Sequence, residues 1–204
     1  MAVTRAQFDA GMTYQAYKDQ MTRNREQLEQ NEKDLDLKAD DLEAFKNARK
    51  VNVLALAEDW CGDVIANLPI LGRLANESGT LNLRVLLRDT EPGSVVMDEH
   101  LNRGEFKSIP TVVFLDDNYN ELAVWVERPD SVTKLREEKR QQLYKDNPSW
   151  GDPSKPIAEL PEDIRGEVQQ KTGAMRNETK PFANSEVVRE LREIVERIGS
   201  KQAV

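Results

Sequence analysis

The apolar residues of this chain fall into short runs typical of strands and longer stripes typical of helices, and the pattern predicts an α/β fold. Four runs have the length and residue types of strands. They are Val51–Ala57, Leu81–Leu87, Thr111–Leu115 and Glu121–Val126. A cluster of Asp and Asn at 116–120 predicts a hairpin loop between the last two. A short helix is expected from Ser94 to Leu101, after the loop that follows the second strand.

Residues 5 to about 48 predict helices, because they are rich in Gln, Glu, Lys, Leu and Ala and contain no Pro. Their apolar side chains recur at loosely helical spacings. They are Phe8, Met12, Tyr17, Met21, Leu28, Leu42 and Phe45. Two interpretations stay open for this segment: an arm that binds a partner, or a helical extension packed on the central sheet.

The C-terminal third predicts three helices around a proline-containing loop. One helix is expected from Asp130 to Lys145, with Asp130 or Ser131 as its N-cap. Four prolines within 147–163 favour an irregular loop or linker, and a second helix is expected to start at Pro161.

The last helix has the clearest periodicity, from Glu186 to Ile198, with Ser185 as N-cap and Gly199 as the stop. Its apolar stripe is interpreted either as a face that docks on the domain or as a dimer interface. We predict three regions: an N-terminal helical extension over 1–44, a central domain over 45–146, and a C-terminal loop and helices over 147–204 that pack on it.

A tryptophan, a cysteine and a glycine follow the first strand directly. The stretch from Glu58 to Val64 reads Glu-Asp-Trp-Cys-Gly-Asp-Val, and a helix carrying Pro69 comes next. Thioredoxins have Trp-Cys-Gly-Pro-Cys at such a turn and a helix-kinking proline eight positions after the first cysteine. Here Pro69 lies eight positions after Cys61. In these residues the chain resembles the thioredoxin family.

A second motif strengthens the resemblance. Ser108-Ile109-Pro110-Thr111 precedes the third strand, where thioredoxins have a cis-proline turn beside the cysteine. The resemblance covers about residues 45 to 128. It implies a thioredoxin-like three-layer α/β/α sandwich with a mixed central sheet, to which this chain adds helices at both ends.

The resemblance also implies a groove that receives a client peptide beside Cys61. The matching positions form what we call the client groove: Trp60, Gly62, Asp63, Ile109, Pro110 and Thr111. Trp60 is interpreted either as packing against the helix or as a contact platform for clients. In the second case the backbone of Ile109 would pair with the client as an added strand.

The site departs from the family pattern in its second thiol. Cys61 is the only cysteine in 204 residues, and Val64 stands where the resolving cysteine of a thioredoxin lies. Ala55 replaces the family's buried aspartate, six positions before the first cysteine. These differences predict monothiol thiol–disulfide exchange through Cys61, with a client protein or a low-molecular-weight thiol or disulfide as partner. The alternatives are a redox-inactive protein-interaction module and, more weakly, a thiol-adduct sensor.

Two opposing effects act on the thiol of Cys61. A helix N-terminus stabilises a thiolate, whereas nearby carboxylates such as Glu58, Asp59 and Asp63 destabilise it. The sequence leaves the net direction of the pKa shift open. Asp63 is interpreted either as a proton acceptor for Cys61 or as a first-turn acid that stabilises the helix.

Composition and charge narrow the classes of partner. The net charge is −8, and most of the excess acid lies in residues 51–128, which disfavours nucleic-acid binding. No apolar run approaches the roughly 20 residues that span a bilayer, and the N-terminus has no secretory pattern. A cytoplasmic protein without a membrane partner is therefore expected, with a homodimer possible. The single histidine, His100, suggests no metal site, and no cofactor is predicted.

Overall fold

A computed structural model describes residues 3–200 of the chain. Its centre is a mixed sheet of four strands in the order β2-β1-β3-β4. The strands are β1 (Val51–Ala57), β2 (Leu81–Leu87), β3 (Thr111–Leu115) and β4 (Glu121–Val126). Strand β1 runs parallel to β2 and antiparallel to β3, which in turn pairs antiparallel with β4. All four predicted strands and the mixed sheet are confirmed.

Nine helices accompany the sheet in the described part of the chain. They are α1 (Arg5–Asp9), α2 (Tyr14–Gln20), α3 (Arg25–Lys33), α4 (Ala39–Lys46), α5 (Gly62–Ser78), α6 (Gly93–Asp98), α7 (Asp130–Asp146), α8 (Glu162–Glu178) and α9 (Lys180–Ser200). The proline-containing loop forms two short 3₁₀ turns, Pro148–Trp150 and Ile157–Glu159.

Strand β1 owes its central position to an almost unbroken apolar run. Residues from Val53 to Ala57 are fully buried, as expected for a strand covered on both faces. Ala55 pairs with Val85 on one side and with Val112 on the other. The strand therefore directs its carboxyl end, and the cysteine that follows, to one edge of a rigid sheet.

The N-terminal segment folds as four short helices that pack into the core. The largest buried side chains along it are Phe8, Tyr17, Leu28 and Phe45. Helices α3 and α4 lie against α5, and α2 lies against β2. The segment is thus a packed extension, the second of the two interpretations.

Two close backbone contacts hold this segment against the domain. The amide and carbonyl of Met12 exchange hydrogen bonds of 2.8 and 2.9 Å with Val85, which extends the β2 edge of the sheet. A Cβ on Gly72 would lie 2.3 Å from the ring of Tyr14, so only glycine allows α2 and α5 to approach this closely.

Three predicted helix ends were wrong. Helix α7 has Pro129 at its N-cap, so Asp130 is its first residue, and the Ser131 hydroxyl donates to Glu186 instead. Helix α9 starts at Lys180 rather than Glu186, and Ser185 lies inside it. Helix α9 starts earlier than predicted because Pro181 lies in its first turn. There the fixed φ of proline is favourable, and its missing N–H costs no hydrogen bond. Gly199 does not stop the helix, which continues to Ser200.

The chain forms two compact units, whose bounds differ from the predicted regions. One holds the chain up to Arg128 and again from Val187, and the other spans Pro129–Glu186. The stripe of α9 is buried in the core of the first unit, so it is not available as a dimer face. Its members are Val187, Val188, Leu191, Ile194, Val195 and Ile198. The second unit has a small core of its own, built from Tyr144, Trp150, Leu160 and Val168.

Candidate active site

Cys61 lies at the junction of β1 and α5, where it is the N-cap residue of the helix. Its side chain is half-buried, and its Sγ donates a hydrogen bond to the carbonyl oxygen of Ile109 at 3.4 Å. The peptide bond between Ile109 and Pro110 is cis. The two sequence motifs, 48 residues apart, therefore meet at the sulfur atom.

The surroundings of Cys61 favour the neutral thiol. Burial is the main cause that raises its pKa, and the carboxylates of Asp63 and Glu127 raise it further. The backbone N–H groups of Val64 and Asp63 act in the opposite direction, as expected at a helix N-terminus, but they do not balance the other effects. The pKa of Cys61 is thus raised above its ordinary value, which gives the sign that the sequence left open.

This shift predicts the pH dependence of alkylation. Because the thiolate is the reactive form, iodoacetamide should label native Cys61 at pH 7 more slowly than the cysteine of the unfolded chain. The rate should rise roughly tenfold per pH unit and continue to rise above about pH 8.5, the pKa of a free cysteine. Mass spectrometry of timed samples gives this profile. A rate that is already constant between pH 7 and 8 would contradict the raised pKa.

Asp63 is paired with an arginine that the sequence analysis did not single out. The Arg128 guanidinium donates to the Asp63 carboxylate, and the two side chains are only 23% and 13% exposed. Burial opposes the charge on Arg128, but the carboxylates of Asp63 and Glu127 outweigh it and raise the pKa of the guanidinium. The carboxylate of Asp63 thus holds a permanent cation beside the cysteine.

Arg128 is held in place by a turn at the end of β4. Glu127 adopts a left-handed conformation with a φ of 58°, which a non-glycine side chain rarely adopts. Its N–H donates to the carbonyl of Pro110 at 2.8 Å, and its own carbonyl accepts from the buried side-chain amide of Asn67 at 2.7 Å. These bonds tie the end of β4 to both the proline turn and α5.

The acids that precede Cys61 act as structural clamps. Asp59 accepts hydrogen bonds from the backbone N–H groups of Thr22 and Arg23, at 2.8 and 3.0 Å, and from the Thr22 hydroxyl. The Asn24 side chain donates to the Asp59 carbonyl at 2.8 Å. Glu58 accepts from the backbone N–H of Asp89, at the end of β2. The segment after α2 is therefore attached to the cysteine turn, which the sequence pattern did not indicate.

This clamp gives a prediction for Asp59→Ala. Burial disfavours the negative charge of the Asp59 carboxylate, but the hydrogen-bond donors on Thr22 and Arg23 outweigh this effect and lower the pKa of Asp59. Its stabilising effect is therefore present above about pH 4, the ordinary pKa, and is lost as the pH falls through the lowered value. At pH 7 the variant should lose about 1–2 kcal/mol, as for a helix cap. Urea unfolding at pH 7 and at pH 3 measures it. An equal loss at both pH values would contradict the ionised clamp.

Trp60 is exposed beside the cysteine. Its side chain is 46% exposed, and the Arg88 guanidinium lies over the ring, 4.9 Å from its centroid. Arg88 is itself fixed by Asp89 and by the carbonyl of Lys107. Trp60 is thus oriented by a cation rather than buried against α5, and this exposure favours the contact platform.

The remaining members of the client groove differ in what they can present. Gly62 is exposed as the first residue of α5, and the backbone carbonyl of Ile109 faces the sulfur. The side chain of Thr111 is fully buried and its hydroxyl donates to the carbonyl of Ser108, so Thr111 shapes the turn but offers no side-chain surface to a client. Pro110 is likewise buried.

Three other positions that the sequence analysis named, Ala55, Val64 and His100, place no reactive group beside Cys61. Ala55 and Val64 are fully buried, so neither an acid nor a thiol stands behind Cys61 at these positions. The ring of His100 is buried, with its two nitrogens 2.7 Å from the carbonyl oxygen of Val96 and 3.0 Å from the carboxylate of Glu121. Residues 3–200 contain no grouping of His, Cys, Asp and Glu suited to a metal ion, and no helix among them is long and apolar enough to cross a bilayer.

Residues 11–141 match the profile of the family described as Thioredoxin. The chain belongs to the thioredoxin family. The match extends from just before α2 into α7, so it includes the clamped N-terminal segment as well as Cys61 and the proline turn. No curated protein matches the sequence.

Two solved structures share the fold of this thioredoxin-family protein. One is a protein of unknown function from Pseudomonas aeruginosa, with a TM-score of 0.63 and 18% identity over 95% of this chain and 98% of that one. The other is an HIV epitope scaffold, with a TM-score of 0.62 and 17% identity over the same shares. At such identities the likeness concerns the fold alone, and it confirms the predicted thioredoxin-like α/β architecture.

Proposed function

We propose that this thioredoxin-family protein carries out monothiol thiol–disulfide exchange through Cys61, with an external thiol that completes the cycle. The observation that carries the proposal is the position of the sulfur. It lies half-exposed at the N-terminus of α5, 3.4 Å from the carbonyl oxygen that precedes the cis-proline. Family membership and the exposed Trp60 support the same conclusion.

The reaction divides into two exchanges. The thiolate of Cys61 attacks one sulfur of a disulfide, a new S–S bond forms, and the other sulfur leaves as a thiolate. Val64 is apolar and buried, so no thiol of this chain can attack the mixed disulfide. An external thiolate must then attack the client sulfur of the mixed disulfide. The S–S bond to Cys61 breaks, and Cys61 leaves as a thiolate that takes up a proton from water.

The surroundings of Cys61 suit a protein client. An extended segment lying across Trp60 could pair with the backbone of Ile109, by the strand addition that many peptide-binding sites use. The half-reaction that releases Cys61 needs a small thiol, which we expect to come from a reducing compartment such as the cytoplasm.

A mass measurement tests the proposal. The native protein is incubated with hydroxyethyl disulfide, and we expect one mercaptoethanol adduct, confined to Cys61, which disappears after a small thiol is added. Cys61→Ser should form none. A protein that resists the disulfide in its native state but forms the adduct once unfolded would show that the folded site does not support exchange.

A second candidate function is a redox-inactive interaction module. The observations that favour it are the raised pKa of Cys61, due first to burial, and the ordered Trp60–Arg88 pair on the surface. The two functions differ in whether they require the thiol of Cys61. If a protein partner is found, an interaction module should bind it equally well with Cys61→Ser and lose it with Trp60→Ala.

A further inference from the structure

Glu127 is an acidic residue at a backbone position that favours glycine. It directly follows β4, and its φ of 58° lies in the left-handed region, where a residue with a Cβ is disfavoured and glycine is not. The hydrogen bonds that Glu127 makes to Pro110 and Asn67 use only its main-chain atoms, so the turn does not require the carboxylate. The side chain is 34% exposed, and its chemistry is therefore available at the surface.

The proline turn joins Glu127 to the reactive sulfur. The N–H of Glu127 donates to the carbonyl oxygen of Pro110 at 2.8 Å. The carbonyl oxygen of Ile109, one residue earlier, accepts the hydrogen bond from Sγ of Cys61 at 3.4 Å. Glu127 and Cys61 therefore contact consecutive residues of one turn. The backbone that carries the Glu127 side chain thus lies beside the client groove.

A second set of contacts brings the carboxylate of Glu127 to the first turn of α5. One of its oxygens lies 3.9 Å from the Arg128 guanidinium, and the same guanidinium donates to the carboxylate of Asp63, two residues after Cys61. The pair formed by Arg128 and Asp63 is neutral as a whole. The negative charge of Glu127 is therefore left in excess on this side of the cysteine, and it contributes to the raised pKa of Cys61.

The charged groups at the carboxyl ends of β1 and β2 do not offset this excess. Arg88, the cation at the end of β2, is itself paired with Asp89 at 2.7 Å. Glu58 adds another carboxylate, which accepts from the backbone N–H of Asp89. Residues 51–128 as a whole contain 6 Lys and Arg against 13 Asp and Glu. A positively charged partner is therefore favoured at this end of the sheet, and a negatively charged one is disfavoured.

We propose that Glu127 makes the client groove selective for protein segments that carry Lys or Arg beside the cysteine of their disulfide. This inference rests on the proposed exchange and names its class of client. A segment that pairs with the backbone of Ile109 lies close to Glu127, because both residues belong to the proline turn or contact it. A long basic side chain next to the client cysteine then meets the Glu127 carboxylate, whereas an acidic one is repelled. Glu127 selects the client and takes no part in the exchange of sulfur bonds.

Methanethiosulfonates of opposite charge measure this selectivity at the sulfur. Each transfers a thioalkyl group to the Cys61 thiolate and releases methanesulfinate. With rates expressed relative to those of free mercaptoethanol, we expect wild type to react faster with the trimethylammonium-ethyl reagent than with the sulfonato-ethyl reagent. Glu127→Gln should lower the ratio of the two rates about three- to tenfold at low ionic strength. The ratio is independent of the pKa of Cys61, because both reagents need the same thiolate, so a purely structural role of Glu127 would not change it.

Two further variants provide controls. Glu127→Gly removes the carboxylate at a φ that glycine adopts freely, so it should lower the ratio as Glu127→Gln does, in a protein that is no less stable than wild type. Asp117→Asn removes one negative charge from the hairpin loop at the other end of β3, where the side chain is 82% exposed, and should leave the ratio unchanged. An unchanged ratio in both Glu127 variants, or an equal fall in Asp117→Asn, would overturn the role of Glu127.

Two peptides test the class of client and separate it from the proposed function. They carry Lys or Glu on both sides of one cysteine, which is activated as a mixed disulfide with thionitrobenzoate. Sγ of Cys61 bonds to the peptide sulfur, and thionitrobenzoate leaves as a coloured thiolate.

We expect wild type to react faster with the Lys peptide, and Glu127→Gln to lose most of this preference. Equal rates for the two peptides in wild type would overturn the inference and leave the exchange intact. If neither peptide reacted but the methanethiosulfonate ratio still depended on Glu127, the charge selectivity of the site would be supported and only the proposed exchange would fail.

Discussion

Val64→Cys is expected to convert this protein into a dithiol reductant. Residues three apart lie on the same face of a helix, so a thiol at position 64 would lie next to Cys61 and could attack a mixed disulfide on it. Valine and cysteine are similar in size, and the buried position already excludes solvent. We expect wild type to show almost no insulin reduction, and the variant to exceed it by at least about tenfold, the least that an intramolecular step should add.

Ala66→Cys is the matched control, since it adds one thiol to α5 five positions from Cys61 and off its face. It should give no gain. The Val64→Cys rate should still be modest, because Ala55 supplies no buried acid and the pKa of Cys61 is raised. An inactive Val64→Cys variant with native circular dichroism and an unreactive Cys61 would favour the interaction module.

Arg128→Met should produce the largest loss of stability. It leaves the carboxylate of Asp63, which is only 13% exposed, without the guanidinium that pairs with it. Removing one partner of a buried ion pair lowers the free energy of unfolding by about 3–5 kcal/mol. We expect a loss of about 2–4 kcal/mol here, because both side chains remain partly exposed to solvent. Urea denaturation measures the loss. Arg5→Met provides a surface control, because Arg5 and Asp9 are largely exposed, and it should cost less than about 0.5 kcal/mol.

The double variant with Asp63→Asn separates the pair from other effects. Because Asp63→Asn removes the charge that Arg128 compensates, the double variant should regain part of the stability that Arg128→Met loses. Asp63→Asn alone should lower the pKa of Cys61 and speed its alkylation at pH 7, since the Asp63 carboxylate raises that pKa. A double variant no more stable than Arg128→Met would show that the two side chains are not energetically coupled.

Local pattern was sufficient to predict the scaffold of the site. The buried run from Val51 to Ala57, the cysteine after it and Pro69 in the next helix are short-range signals, and the structure contains each element where it was expected. The proline motif at Ile109 could also be placed, because it directly precedes an apolar strand. Each of these features depends on residues that are close together in the sequence.

The partners of the site could not be predicted, because they are distant in sequence. Arg128 is 65 residues from Asp63, and Thr22 is 37 from Asp59. Tyr17 matched the apolar spacing of a helix, and the sequence does not show that its hydroxyl is buried without a hydrogen-bond partner. The net pKa shift of Cys61 also required the structure, because burial is its main cause and the sequence shows only the nearby charges.

The most direct test of the account is turnover of a small disulfide by the purified protein. Hydroxyethyl disulfide and excess glutathione are supplied, and oxidised glutathione is measured over time at pH 7 and pH 8.5. We expect wild type to exceed the uncatalysed rate, more so at the higher pH, and Cys61→Ser to match the rate without protein. Equal rates for wild type and Cys61→Ser at both pH values would contradict monothiol exchange.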